Sequence, residues 1–295
     1  MNTGDQVRSS GGTGTFAGGA APGPDAGAPG AVVVGVDGSP ESLAALDLGA
    51  REASLRGVRL LVVHGLVQPV MQVLTDPPPG SPELQRYAEH LVADAVGRAR
   101  ALVPGVEVTG RVIPGSGAHA LITTSPQASV VVVGDRGLGA FAGLVVGSVA
   151  VHVASHARCP VLVARGAVDP ELPVLLAADG SPANEPAVAF AFAAAAVRDV
   201  ALVAQHVLVD EEDTGLLGSV LAPWQQRYPK VQVHQQVGYG HVRRTIIEAA
   251  RSAQLVVVGA RGHGGFTGLL LGSVGQAVLR HATCPTAIVP QAHQR

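Results

Sequence analysis

The chain has 295 residues, 47% of them hydrophobic but only 3% aromatic, which is enough for two domains of ordinary size with cores built from Ala, Val and Leu. A formal net charge of −2, with 20 Lys and Arg against 22 Asp and Glu and no basic run, excludes the electrostatic footprint of a nucleic-acid binder. The longest apolar run, AVAFAFAAAAV at 187–197, is far short of the ~20 residues that span a bilayer; it reads as a buried helix, and no membrane is expected as a partner.

Residues 1–30 are rich in Gly, Ala and Pro without an apolar period and predict a disordered tail. No charged start is followed by a continuous apolar stretch, so no signal peptide is expected. SSGGTG at 9–14 has the composition of a phosphate loop but neither a strand before it nor a helix after it, and fails on context.

From residue 31 apolar runs alternate with helical stretches. AVVVGV (31–36), RLLVVHG (59–65), VEVTGRVI (106–113), SVVVVG (129–134) and PVLVAR (160–165) are predicted strands. Three of them are Val- or Leu-rich with no polar alternation, as in strands covered on both faces. ESLAALDLGAREASLRG, a helix at 83–103, AHALITTSPQA and SVAVHVASHAR separate them, an order that predicts a parallel sheet with helices on both sides. DGSP at 37–40 follows the first strand, with Ser39 as the expected N-cap and Pro40 at the first helical position.

The pattern then repeats, with strands PVLLAAD, VALVAQHV, VQVHQQV, LVVVG and PTAIVP. A second DGSP at 179–182 again offers Ser181 as N-cap; Pro186, without a counterpart in the first copy, is expected to loosen this helix start. Asp37 and Asp179, like His64 and His206, are 142 positions apart, whereas Val106 and Val231, like Cys159 and Cys284, are 125 apart. Seventeen residues are therefore missing from the second copy between His206 and Val231, where the first copy carries its long helix. Cys159 and Cys284 have no Cys or His partner set and are expected to be small buried residues at strand entrances, consistent with a reducing, cytoplasmic compartment.

After the fourth strand of each copy one formula recurs, GDRGLGAFAGLVVGS at 134–148 and GARGHGGFTGLLLGS at 259–273, with glycine at its positions 1, 4 and 14 and serine at 15. A phosphate chain suits such a segment, because glycines let backbone N–H groups approach it and the following helix start adds unpaired donors and a favourable dipole. The competing reading is local: Gly134 and Gly137 form a turn, and Ser148 is a plain helix cap. Recurrence in two copies favours the ligand. A Walker-type ending is absent and the sole lysine is Lys230, which removes the usual cation for a transferring γ-phosphate.

Strand-D-G-S, a histidine closing strand two, the glycine formula after strand four and a terminal CPVLV-like strand together resemble the universal stress protein family in its tandem form. The resemblance covers nearly everything but the tail and implies two Rossmann-like α/β domains, 31–166 and 173–290. Each would be an open five-stranded parallel sheet in the order 3-2-1-4-5 with helices on both faces. It also implies ATP as ligand, accompanied by Mg2+ or Mn2+, in the crevice where the strand order reverses. By position, Val36 and Asp37 would border the adenosine, the Asp37 carboxylate accepting ribose hydroxyls. Gly65 would lie where backbone reads the adenine edge, and Val133, Gly134, Arg136, Gly137, Gly147, Ser148 and Val149 would line the phosphate path. The equivalents are Ala178, Asp179, Val207, Val258, Gly259, Arg261, Gly262, Gly272, Ser273 and Val274.

For Arg136 and Arg261, neutralising phosphate and standing free in solvent are even readings. His64 and His206 are expected to be satisfied by backbone rather than to act as ligands, and His263, which replaces Leu138, has no shared role. The expected function is an ATP-binding regulator of a stress or dormancy response, without catalytic residues or a metal site of its own, since no general base or lysine follows the glycine formula. A slow ATPase or phosphotransferase, and an interaction module that binds no nucleotide, are the alternatives. Antiparallel pairing of the fifth strands would make the chain an intramolecular pseudo-dimer; a further homodimer and an unknown regulatory protein partner stay open. The missing segment predicts a more open or weaker second pocket.

Overall fold

The computed structural model describes residues 30–67, 82–138, 146–166, 169–208, 216–262 and 271–291; the expected tail lies outside them. The first half runs β1 (Ala31–Gly35), α1 (Pro40–Arg56), β2 (Leu60–Leu66), α2 (Pro82–Leu102), β3 (Val108–Pro114), α3 (Gly117–Thr124), β4 (Ala128–Gly134), α4 (Ser148–His156) and β5 (Val161–Ala164). The second runs β6 (Val174–Ala178), α5 (Glu185–Arg198), β7 (Leu202–Leu208), α6 (Leu216–Arg227), β8 (Val233–Tyr239), α7 (Val242–Ala249), β9 (Leu255–Gly259), α8 (Ser273–His281) and β10 (Thr286–Val289).

All ten strands form one sheet in the order β3-β2-β1-β4-β5-β10-β9-β6-β7-β8. Each half keeps the expected 3-2-1-4-5 order with parallel pairing. The halves do not remain two separate open sheets, because β5 and β10 pair antiparallel, with Leu162 opposite Ala287. Joining them removes two strand edges that would otherwise stay unpaired.

Side chains alternate across the sheet. Val32 and Val34 face a core shared with α1, α2, α5 and α6, while Val33, Val131 and Val133 face the core under α3, α4, α7 and α8. Small residues set the helix distance: a Cβ on Gly49 would collide with the Val34 side chain, so α1 lies directly on β1. Where the first copy has Ala50, Ala99 and Val103, the second has Phe192, Trp224 and Tyr228, whose rings stack with centroids 6.0 to 6.5 Å apart. Larger side chains thus offset the shorter α6, which aligns with the second half of α2 only.

Ser39 caps α1 as expected, its hydroxyl accepting the Ser42 amide at 3.1 Å. Ser181 and Pro182 open a 3-10 turn in the expected N-cap and first positions, but the Ser181 hydroxyl caps no amide, which corrects the expectation of a helix cap like that of Ser39. The chain there makes a 3-10 turn over Pro182–Asn184, the Asn184 amide bonds the Ser181 carbonyl, and α5 starts only at Glu185. Pro186, with no N–H to give, lies in the first turn of that delayed helix, in keeping with the loosened start.

Where α1 meets α5 across the joined strands, the buried Glu52 carboxylate pairs with Arg56 at 3.0 Å and with Arg198. The Arg56 guanidinium lies 5.0 Å from the centre of the Phe190 ring. The two arginines are equivalent in the repeat, while the counterpart of Glu52 is Ala194, so one carboxylate serves both. Burial lowers the pKa of both arginines, that of Arg198 to about 10, which keeps it charged at neutral pH. Among the described residues no helix is long and apolar enough to cross a membrane.

Candidate functional site: two glycine-lined crevices

β1 and β4 are neighbours, so the turn after β1 and the glycine segment after β4 face one another at their C-terminal ends. Val36 is buried just past β1, and its carbonyl accepts the Nδ1–H of His64 at 2.8 Å. In the second half His206 donates in the same way to Ala178 at 2.8 Å. Both histidines are thus held by backbone, as expected.

Asp37 joins the two sides of the first crevice. Its Oδ1 accepts the Ser39 amide at 3.0 Å and hydroxyl at 2.6 Å, and its Oδ2 accepts the Leu138 amide at 2.9 Å. Burial is the largest single influence on this carboxyl and opposes its ionisation, but the Ser39 hydroxyl and the Leu138 and Ser39 amides together outweigh it, so its pKa lies below the usual 3.8. A Cβ on Gly137 would collide with Oδ2 of Asp37. The second crevice repeats the arrangement: Asp179 Oδ1 accepts the Ser181 amide at 2.9 Å and hydroxyl at 2.7 Å, and a Cβ on Gly262 would lie 2.6 Å from Asp179 Oδ2.

The first glycine of the formula also has a packing reason in each copy. A Cβ on Gly134 would lie 2.8 Å from the Glu41 carbonyl, and one on Gly259 would lie 2.9 Å from the Arg261 carbonyl. The Gly147 amide bonds the Asp135 carbonyl at 2.6 Å and the Gly272 amide bonds Ala260 at 2.7 Å, pinning the two ends of each segment together. Residues 139–145 and 263–270, His263 among them, lie outside the described residues. Gly65 is likewise explained by packing, since its Cβ would stand 2.5 Å from the Gly117 amide at the start of α3; the equivalent Val207 is buried.

What packing does not use is the helix start. Gly147 and Gly272, not the serines, are the N-caps of α4 and α8, and neither helix has a side-chain cap, whereas Ser39 and Ser116 cap α1 and α3. The first helical bonds come from the Val151 and Gln276 amides, so the amides of Ser148, Val149 and Ala150, and those of Ser273, Val274 and Gly275, precede the helical ladder. Ser148 and Ser273 are exposed and their hydroxyls bond none of the described residues, which removes the reading of Ser148 as a plain cap. Val133, Val258 and Ala178 are buried strand residues that can offer a ligand only backbone.

Arg136, half-exposed, pairs with Glu41 at 3.4 Å and with Asp135 at 3.9 Å at the mouth of the first crevice. Arg261 is exposed, and the counterpart of Glu41 is Ala183. A cavity of about 360 Å³ adjoins the first crevice, walled by Val36, Gly38 and Leu43 on one side and Tyr87, His90 and Leu91 of α2 on the other. Among the predicted site residues only Val36 lines it. Among the described residues the second half has no equivalent of residues 82–90 to form that wall. No group of three metal-ligating side chains occurs among the described residues.

Sequence reasoning missed Glu41, Asp135 and the Leu138 amide. Glu41 and Asp135 occur in the first copy alone, and comparing the copies draws attention to what they share.

A sequence profile of the universal stress protein family matches residues 30–165 and 172–290. A universal stress protein of Mycolicibacterium smegmatis is 39% identical over 286 residues, 88% of this chain and 96% of its own. One from Mycobacterium tuberculosis (strain H37Rv), Rv2623, is 36% identical over 282 residues, 87% and 95% of the two chains. The crystal structure of a universal stress protein from Archaeoglobus fulgidus superposes with a TM-score of 0.72 at 20% identity, over 90% of this chain and 98% of that one, a likeness of fold.

Proposed function

The chain belongs to the universal stress protein family, and from that premise we propose that it binds ATP in each of its two crevices and acts as a nucleotide-dependent regulator rather than as an enzyme. The observation that carries this reading is the twice-built helix start: α4 and α8 each open on a glycine with no side-chain cap, presenting first-turn amides and an exposed serine at the point where the strand order reverses. Such a start favours a phosphate through its unpaired donors and its dipole.

The rest of each crevice fits a nucleotide. The Asp37 carboxylate borders the position of a ribose and keeps acceptor capacity beyond its three donors. Those donors offset part of its repulsion of a nearby phosphate chain. Mg2+ or Mn2+ would be carried by the phosphates and supply charge neutralisation, since the described residues hold no group of three ligands for it. Efficient turnover is disfavoured because Asp37, the carboxylate that joins the two sides of the first crevice, has its basicity lowered and Lys230 lies just before β8.

On this reading nucleotide occupancy, in the cytoplasm, favours one arrangement of the chain that a protein partner of the stress or dormancy response reads; a ligand shifts such an equilibrium only by its differential affinity. The test is to release nucleotide from purified protein by heat, identify it, and measure phosphate production with and without Mg2+ or Mn2+. Bound ATP with negligible turnover agrees with the proposal. A brisk metal-dependent rate would make the protein an ATPase or phosphotransferase, and failure to take up ATP at saturation would leave an interaction module.

A further inference from the structure

Arg165 follows β5, the last strand of the first half, with its side chain 15% exposed. Its Nε lies 3.2 Å from Oδ2 of Asp135, the second residue of the first glycine segment. Its Nη1 donates at 2.9 Å to the carbonyl of Ala282, the residue that ends α8 in the other half. A guanidinium suits both partners, a carboxylate through charge-assisted bonds and a helix C-terminus through its unpaired carbonyls. The Asp135 carbonyl in turn accepts the Gly147 amide at 2.6 Å. One chain of contacts therefore runs from the second domain through Arg165 and Asp135 to the first residue of the α4 start. Gly166, next in sequence, has φ +61 and lies so close to the second domain that a Cβ there would be 2.6 Å from the Thr283 carbonyl. This leaves Arg165 little room to move relative to α8.

Among the described residues the second half has no such anchor. The residues 125 positions on from Asp135 and Arg165 are Ala260 and Pro290, neither of which can form an ion pair. Ala260 keeps the backbone bond to Gly272 and the Gln276 side chain donates to the Leu271 carbonyl at 2.9 Å, so both segments are closed locally; among the described residues only the first is tied by a side chain to the other domain.

We propose that Arg165 is a positioning residue for the first crevice: it fixes Asp135, and through it the Gly147 amide and the start of α4. The N-terminal site is thereby preorganised and holds nucleotide more tightly than the C-terminal one, and it depends on the docking of the two domains across β5 and β10. Preorganised donors bind more tightly because less ordering remains to be done when the ligand arrives. The ion pair is mostly shielded from water, so it is screened by salt less than an exposed pair. This inference rests on the nucleotide reading and adds which site is favoured and by what.

The test uses the full chain with one crevice blocked at a time, Gly272→Phe leaving the first site and Gly147→Phe leaving the second, each titrated calorimetrically with ATP. In the first-site background, Arg165→Ala and Asp135→Ala should each raise Kd about tenfold, the equivalent of one charge-assisted contact. Arg165→Lys, able to reach one partner but not both, should fall between. In the second-site background Arg165→Ala should change Kd by less than about twofold. A merely structural role would weaken both sites alike, together with the thermal midpoint, and that result overturns the inference. So does an unchanged first-site Kd. If neither site takes up ATP in the unblocked protein, the nucleotide reading itself fails and this inference with it.

Discussion

Asp37 and Gly137 touch across the first crevice: Oδ2 of Asp37 fills the space that a Cβ at residue 137 would need, and it accepts the amide of the next residue, Leu138, at 2.9 Å. The turn after β1 and the segment after β4 are thereby fixed to each other before any ligand arrives. Gly137→Ala should push them apart and cost about 1–3 kcal/mol, as overpacking does. Gly262→Ala should do the same through Asp179, where the gap is 2.6 Å. Urea unfolding of the two variants measures the loss, and no change in either would mean that the contact yields freely.

The same carboxylate sets a pH dependence. Its folded-state pKa lies below the ordinary 3.8, so its contribution to stability is fully present above 3.8 and disappears as the pH falls through the folded value. The stability difference between wild type and Asp37→Asn should be constant from neutral pH to about pH 5 and should shrink below about pH 4. Urea midpoints across that range check this, and a difference that grows on acidification would reverse the assigned sign.

Glu52 is the shared counter-ion of Arg56 and Arg198 where the two halves meet. Glu52→Ala leaves two arginines buried around an empty place and should destabilise the chain by roughly 3–5 kcal/mol, the range for breaking a buried pair. A cost under about 1 kcal/mol would show that the site behaves like an exposed pair.

Burial pushes the Cys159 thiol up to about 12 and the Cys284 thiol up to about 11. Both are therefore neutral thiols at physiological pH and poor nucleophiles. A thiol reagent should label the native protein only as fast as it unfolds, and in urea both cysteines should react at once. Rapid labelling under native conditions would contradict their placement.

Much of this was legible because the copies could be read against each other. Valine runs without polar alternation marked strands covered on both faces, and DGSP marked the turn after the first strand. The glycines were legible as requirements of close approach, but recurrence in two copies favoured a ligand over a local turn, whereas Gly134, Gly137 and Gly65 are already needed by Glu41, Asp37 and Gly117. The Ser181 side-chain cap was misread because the Asn184 amide takes the Ser181 carbonyl in a 3-10 turn, where the Ser42 amide takes the Ser39 hydroxyl. The Arg165 anchor was hidden for a different reason: its partners lie 30 and 117 positions away, and it exists in one copy only.

On the proposed reading the bare starts of α4 and α8 hold ATP. Nucleotide retained by the purified wild-type chain, compared with that retained by a variant carrying Gly147→Phe and Gly272→Phe together, tests it most directly, with circular dichroism confirming that both are folded. ATP is expected on the wild type and none on the folded variant. Equal retention by the two proteins would contradict it.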